Sequence, residues 1–262
     1  MLQTCGQGVG NSKVTEPLPP EYLESYEHRV VSFTDVLGWR SHIEETMKNP
    51  ERTPYLRVLV ESWSHHLKMN VPSTETNDLR ATSFSDNLVL SQGPEDPGVL
   101  LARLAMMQVL AAAGGFWIRG GITAGLLIHR PNCVFGPALN RAYELESKIA
   151  DVPRILIGPE LILQEKGDFG NYGRVLIRLE GSHAFIDPFT PFHFKLLRES
   201  PLNTQTSTFF GTEACAEKIS EYLRKELNGN LVEKDRRRII WLYNRLADNF
   251  KGDAFATFFP PL

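Results

Sequence analysis

Val31-Ser32-Phe33-Thr34-Asp35-Val36-Leu37-Gly38-Trp39 and Thr82-Ser83-Phe84-Ser85-Asp86-Asn87-Leu88-Val89-Leu90-Ser91 are the two stretches that order the rest of the chain. Each is an apolar strand pattern that delivers one aspartate at a strand end. After Asp35 comes Val36-Leu37-Gly38, a turn into a helix. A glycine there lets backbone N–H groups approach an anion, and the helix N-terminus adds partial positive charge. Around Asp86, Ser85-Asp86-Asn87 reads as the turn of a β-hairpin. Each aspartate alone has an ordinary explanation, Asp35 as the cap of the following helix and Asp86 as a turn residue. Carried together on adjacent strands, they make a binding site for two hard divalent cations. Such ions prefer oxygen ligands and are commonly shared with substrate phosphates.

Working outward, residues 29–36 alternate as a strand, and 38–70 read as helical with an interruption near Pro50 and Pro54. Leu56, Val60, Trp63 and Leu67 repeat at helical spacing in its second half. A hairpin over 78–91, a helix over 97–113, strands over 116–128, a helix over 136–150 and a strand over 154–158 follow. The order β-α-ββ-α-ββ-α-β lacks the regular repeat of a dinucleotide-binding fold. It predicts an α+β sandwich, an antiparallel sheet with helices on one face. Residues 1–20, rich in Gly, Thr and Pro, read as a flexible N-terminal arm, and 21–180 as the main domain. Residues 181–262 read as a C-terminal extension: a strand and turn over 181–191, then amphipathic helices over 213–228 and 231–249.

The 262 residues are 42% apolar and carry a net charge of −3. That is enough for a normal core, with no overall basicity pointing to nucleic acid or an anionic membrane. Cys5, Cys133 and Cys215 are odd in number, far apart and without a Cys-x-x-Cys spacing. A disulfide framework or zinc site is not expected, and a reducing cytoplasm fits. The longest weakly polar stretch, Val99 to Ile118, is broken by Arg103, Gln108 and Gly114-Gly115. It falls short of a membrane span, and no signal peptide is apparent at the N-terminus.

Four motifs in order resemble the class III nucleotidyl cyclases, over about residues 28 to 165. Phe33-Thr34-Asp35-Val36-Leu37-Gly38-Trp39 is similar to that family's first metal-aspartate segment, and Asp86 to the aspartate of its hairpin. Arg119-Gly120-Gly121-Ile122-Thr123-Ala124-Gly125 matches its glycine-bearing strand, and Phe135-Gly136 with Asn140 to Ser147 its asparagine-bearing helix. The wording is closer still to the bacterial pyrimidine cyclases of the Pycsar anti-phage system: Ser-Phe-Ser-Asp-Asn, Arg-Gly-Gly-Ile-Thr and Gly-Pro-Ala-Leu-Asn-Arg-Ala-Tyr-Glu-Leu-Glu all occur here.

The resemblance implies a ferredoxin-like core that converts UTP, less readily CTP, to the 3′,5′-cyclic monophosphate and pyrophosphate. It implies two Mg2+ or Mn2+ ions on Asp35 and Asp86, and catalytic roles for Asn140, Arg119 and Arg154. Phe33, Val36, Leu37, Gly38, Thr82 and Cys133 would contact substrate. It also implies a homodimer with active sites at the interface, no nucleic-acid or membrane partner, and a functional link to a cyclic-nucleotide-binding effector.

The match has gaps. Where purine cyclases place a transition-state arginine, this chain has Glu144, so Arg119, Arg141 or Lys148 must replace it if turnover is kept. Glu144 and Lys148 read equally as a surface i,i+4 pair. Thr82 and Cys133 occupy the base-reading positions and carry no charge, unlike the lysine and aspartate of adenylyl cyclases. Cys133 alone matches the guanylyl pattern. A non-catalytic nucleotide sensor and a guanylyl cyclase are therefore the alternatives.

Overall fold

The computed structural model describes residues 25–68, 78–95, 97–164, 176–199 and 212–262. The expected arm over 1–20 lies outside them. The chain runs through β1 (Glu27–Val36), α1 (Trp39–Lys48), a 3-10 turn (Pro50–Arg52) and α2 (Thr53–Lys68). The hairpin β2 (Arg80–Phe84) and β3 (Asn87–Gln92) leads into α3 (Pro97–Ala113). Then come β4 (Ile118–Arg130), β5 (Cys133–Phe135), α4 (Pro137–Glu144) with a π turn (Leu145–Ile149), and β6 (Ile155–Ile157). The rest is α5 (Pro159–Gln164), β7 (Ile177–Glu180), β8 (His183–Ile186), α6 (Pro191–Glu199), α7 (Thr212–Leu227), α8 (Glu233–Asn249) and a closing 3-10 turn (Ala254–Phe258).

The strands form one sheet in the order β2-β3-β1-β4-β6-β8-β7, with β5 paired to the far end of β4. The α+β architecture is as expected. β1 lies antiparallel between β3 and β4, while β4 and β6 pair in parallel. Alternation sorts the strand residues to two faces. Val30, Val36, Leu88, Leu90, Ile118, Ile122, Ile155 and Ile157 meet α2 and α3 in the main core. The second face is covered too, a departure from the one covered face expected. There Val31, Val89 and Leu127 meet Ala138 and Ala142 of α4.

Gly121 of the Arg119-Gly120-Gly121 segment makes this second layer possible. A Cβ on Gly121 would lie 2.4 Å from the Ala142 carbonyl oxygen and 2.5 Å from the Leu145 Cβ. Gly120 points to the other face, where a Cβ would lie 2.6 Å from the Phe33 oxygen of the neighbouring β1. Gly121→Ala is expected to cost about 1–3 kcal/mol by overpacking. The measurement is a lowered denaturant midpoint at unchanged slope. An unchanged midpoint would mean that α4 does not rest on β4 at this point.

The sheet runs through residue 180, since β7 and β8 pair across it. The C-terminal helices share a core with residues at the end of β1, in α3 and at the start of β4. Ile219, Leu223, Leu242, Leu246 and Phe250 bury against Leu37, Val109, Ala112 and Trp117. Aromatic rings finish this core, with Phe250 stacked on Phe259 at 5.6 Å and edge-on to Phe194 at 5.2 Å. Leu37 and Trp117 each lie two residues from a charged group of the site described next. The helices α7 and α8 therefore brace the ends of β1 and β4. Among the described residues no helix is long and apolar enough to cross a membrane.

Candidate active site

Asp35 stands at the end of β1, on the face covered by α4, directly opposite Arg119 of β4 in the strand register. It does not cap the following helix: the N-cap of α1 is Gly38, with no side-chain cap bond. Gly38 has φ +73°, a conformation open chiefly to glycine, and open space where a Cβ would point. Asp86 sits in the two-residue turn between β2 and β3. Ser85, the one non-glycine residue with positive φ among those described (+56°), turns the chain there. The Asn87 amide donates to the Asp86 carboxylate at 3.2 Å.

These turns bring the two aspartates within hydrogen-bonding reach of each other. Burial, the neighbouring Asp86 and the charge of Glu146 push the Asp35 carboxyl up from 3.8 to about 7. Two carboxylates this close, in a partly desolvated place, cannot both carry charge without a cation. Arg119 supplies one in part. Its Nη2 lies 3.3 Å from Asp35 Oδ2 and its Nε 2.6 Å from Glu146 Oε1. Its Nη1 donates to the Ala150 carbonyl at 3.4 Å.

Among the described residues no group of three or more His, Cys, Asp or Glu is arranged to hold a metal. The Asp35–Asp86 pair fits the expected ions nonetheless. It is an all-oxygen, charge-deficient donor set with coordination left for phosphate oxygens and water.

The other expected site residues spread across the same sheet face. Asn140 is exposed on α4 and lies six residues before Glu146, so about 9 Å higher along the helix. Glu144 lies on the outer side of α4, paired with Lys148 at 3.1 Å and Arg141 at 3.5 Å. Lys148 and Arg141 hold its carboxyl below the usual range. Arg141 also bonds Glu160 of α5 at 3.1 Å. Of the cations proposed to replace the missing arginine, Arg141 and Lys148 are thus engaged on Glu144 itself, and only Arg119 contacts Asp35.

Arg154 precedes β6 on the face of Arg119, but its side chain is buried and turned the other way. It pairs with Glu180 and lies 5.6 Å from the Phe185 ring and 5.8 Å from that of Trp241.

Phe33 packs edge-on to Tyr143 at 5.3 Å and remains at the site's margin. Val36 and Leu37 differ from the reading as substrate contacts. Their side chains fill the main and C-terminal cores, and the Leu37 N–H is taken by the Trp117 carbonyl at 2.8 Å. The apolar positions of a strand alternate into cores, so Gly38 is the part of that segment left open. Cys133 is exposed on β5. Thr82 is not free: its hydroxyl lies 3.0 Å from His129 Nε2. His129 Nδ1 lies 2.8 Å from the Ser91 hydroxyl, which accepts from Arg29 Nε at 2.9 Å. Burial, with the charges of Arg29 and Arg80, pushes His129 down from 6.5 to about 4, so this imidazole is neutral.

Glu146 ends the Ala-Tyr-Glu-Leu-Glu motif, where nothing in the motif marks its role, and His129 lies outside the motifs. Glu146 was legible in principle. It falls four residues after Ala142 on the buried side of the helix, where a carboxylate needs a cation. His129 depends on how the β4–β5 end meets β2, which no local pattern encodes.

No known family model matches the chain, and no curated protein is similar to it at a significant level. Several solved structures share part of its chain trace. One is the monomeric guanylyl cyclase domain of the RhoGC fusion protein from the aquatic fungus Blastocladiella emersonii. Its identity is 16%, the match covers 62% of this chain and 95% of that one, and the TM-score is 0.43. A bacterial light-regulated adenylyl cyclase matches at 11% identity over 63% of this chain and 92% of its own, with TM-score 0.43. The adenylate/guanylate cyclase/hydrolase from Silicibacter pomeroyi matches at 14% identity over 63% and 99%, with TM-score 0.40.

Proposed function

We propose that this protein is a class III nucleotidyl cyclase that closes a pyrimidine nucleoside triphosphate, UTP before CTP, to its 3′,5′-cyclic monophosphate and pyrophosphate. The observation that carries the reading is the meeting of Asp35, from the end of β1, with Asp86, from the β2–β3 turn, and Arg119 against Asp35, within motifs that occur in cyclase order. Asp35 and Asp86 would hold Mg2+ or Mn2+. When bound, the ions lower the pKa of the attacking hydroxyl and neutralise the leaving pyrophosphate. The open turn at Gly38 offers room for phosphate oxygens beside them. Asn140 serves a site completed by a second subunit. The uncharged Thr82 and the exposed thiol Cys133 lack the charged pair that would read adenine. A cytoplasmic location, an anti-phage role and a cyclic-nucleotide-binding effector belong to the same reading and rest on the motif resemblance.

One observation favours a second reading, a nucleotide sensor without turnover. The position expected to hold a transition-state cation carries Glu144, and its two basic neighbours are spent on it. Incubating the purified chain with each of the four ribonucleoside triphosphates and Mn2+, with products identified by mass spectrometry, separates the readings. Cyclic UMP is the expected dominant product. Cyclic CMP would change only the base, whereas a dominant cyclic purine would overturn the pyrimidine assignment. Bound nucleotide without any cyclic product would establish the sensor.

A further inference from the structure

We propose that Glu146 is a positioning residue that draws Arg119 away from Asp35 and so sets how tightly the carboxylate pair takes a divalent cation. This rests on the reading of Asp35 and Asp86 as the metal ligands. Arg119 is a permanent cation in the place where an incoming ion needs negative charge. While its guanidinium leans on Asp35, it competes with any ion for that carboxylate. Its contacts are unequal: 2.6 Å to Glu146 Oε1, against 3.3 and 3.4 Å to Asp35 Oδ2. The guanidinium is thus shared: its closest approach is to Glu146 Oε1, which receives no hydrogen bond, while its Nε–H and Nη2–H are directed at Asp35 Oδ2 and Nη1–H at the Ala150 carbonyl at 3.4 Å. When an ion takes Asp35, Arg119 keeps two anchors and needs no new burial site.

The local backbone is built to place this anchor. The α4 helix widens into a π turn over Leu145–Ile149, and both Leu145 and Glu146 are buried there. Insertions of this kind re-aim side chains and recur at functional sites. Glu146 is only 3% exposed. A carboxylate so buried holds its charge only beside a cation, and Arg119 is the one that touches it. The pairing is thus reciprocal: Glu146 steadies Arg119, and the charge of Arg119 opposes the upward push that burial gives the Glu146 carboxyl.

Mn2+ binding to the full chain, measured by titration calorimetry without nucleotide, tests this apart from turnover. Glu146→Gln keeps the shape and removes the charge. It leaves Arg119 to lean on Asp35, and Mn2+ binding is expected to weaken about tenfold, a modest allowance for one nearby charge in a half-buried site. Arg119→Gln is expected to tighten Mn2+ binding. In that background, adding Glu146→Gln should have little further effect, because the route through Arg119 is gone.

A wild-type chain that binds no Mn2+ would remove the metal reading, and this inference with it. Wild-type binding with unchanged affinity in Glu146→Gln would overturn this inference alone. An equal or larger loss in the Arg119→Gln background would also overturn it, by giving Glu146 a direct action on the ion. If circular dichroism shows Glu146→Gln unfolded, Arg119→Gln decides: tighter binding supports the proposal, and unchanged or weaker binding overturns it.

Discussion

Asp35→Asn is expected to abolish cyclisation, by on the order of a thousandfold or more, while the chain stays folded. Losing one charged ligand removes several kcal/mol of charge stabilisation from the transition state, and each 1.36 kcal/mol is about tenfold in rate. Asp86→Asn should do the same from the other turn. The fold does not depend on these charges, and the stability measurement makes that testable. The Asp35 carboxyl is raised from 3.8 to about 7 by burial, Asp86 and Glu146. Between those values the folded chain binds a proton that the unfolded chain has released, so stability falls as pH rises through the window.

Asp35→Asn removes that loss. In metal-free buffer the variant should melt above the wild type at pH 8, and the gap should close toward pH 4. His42, His129 and His193, lowered from 6.5 to about 4 mainly by burial, act in the opposite sense: their contribution is lost as pH falls. They are common to both chains and cancel in the difference. Near-normal turnover in the folded variant would take Asp35 out of the chemistry. A variant that melts below the wild type at pH 8 would mean that the carboxylate stabilises the fold.

The strands and helices around the aspartates were legible because each carries a strong local signal. β1 alternates between two faces, Ser85-Asp86-Asn87 marks the hairpin, and Pro50 interrupts the helical stretch that becomes α1 and α2. The short elements α5, β7 and α6 have no such signal, since four to nine residues hold too few repeats to set a period. The second covered face was hidden for another reason. Gly121 marks a close approach, but not which helix approaches.

At the site, the sequence could place the aspartates, which local turns present, but not the direction of long side chains. Arg119 and Arg154 come from neighbouring strands on one face, yet one guanidinium reaches Asp35 and the other packs between Phe185 and Trp241. Those choices depend on Glu146 and Glu180, carboxylates distant in sequence from the arginines they hold.

Asp35→Asn and Asn140→Ala chains, each inactive alone, are expected to recover activity when mixed. The geometry motivates this. Asn140 is exposed and about 9 Å along the helix from the level of Glu146, which touches Arg119 beside Asp35. If the aspartates and the asparagine of one chain serve separate sites, a second copy can join them. A two-fold dimer would build two equivalent sites, each with aspartates from one chain and Asn140 from the other. In a heterodimer one of these sites collects both substitutions and the other has neither. Random exchange at equal amounts makes about half the dimers mixed, each with one intact site, so recovery should approach about a quarter of wild-type activity. Native mass spectrometry of the mixture reports the exchange itself. Mixed dimers that remain inactive would place Asp35 and Asn140 in the same site of one chain, where α4 would have to slide along β4. Gly121, pressed against Ala142 and Leu145, leaves little room for that movement.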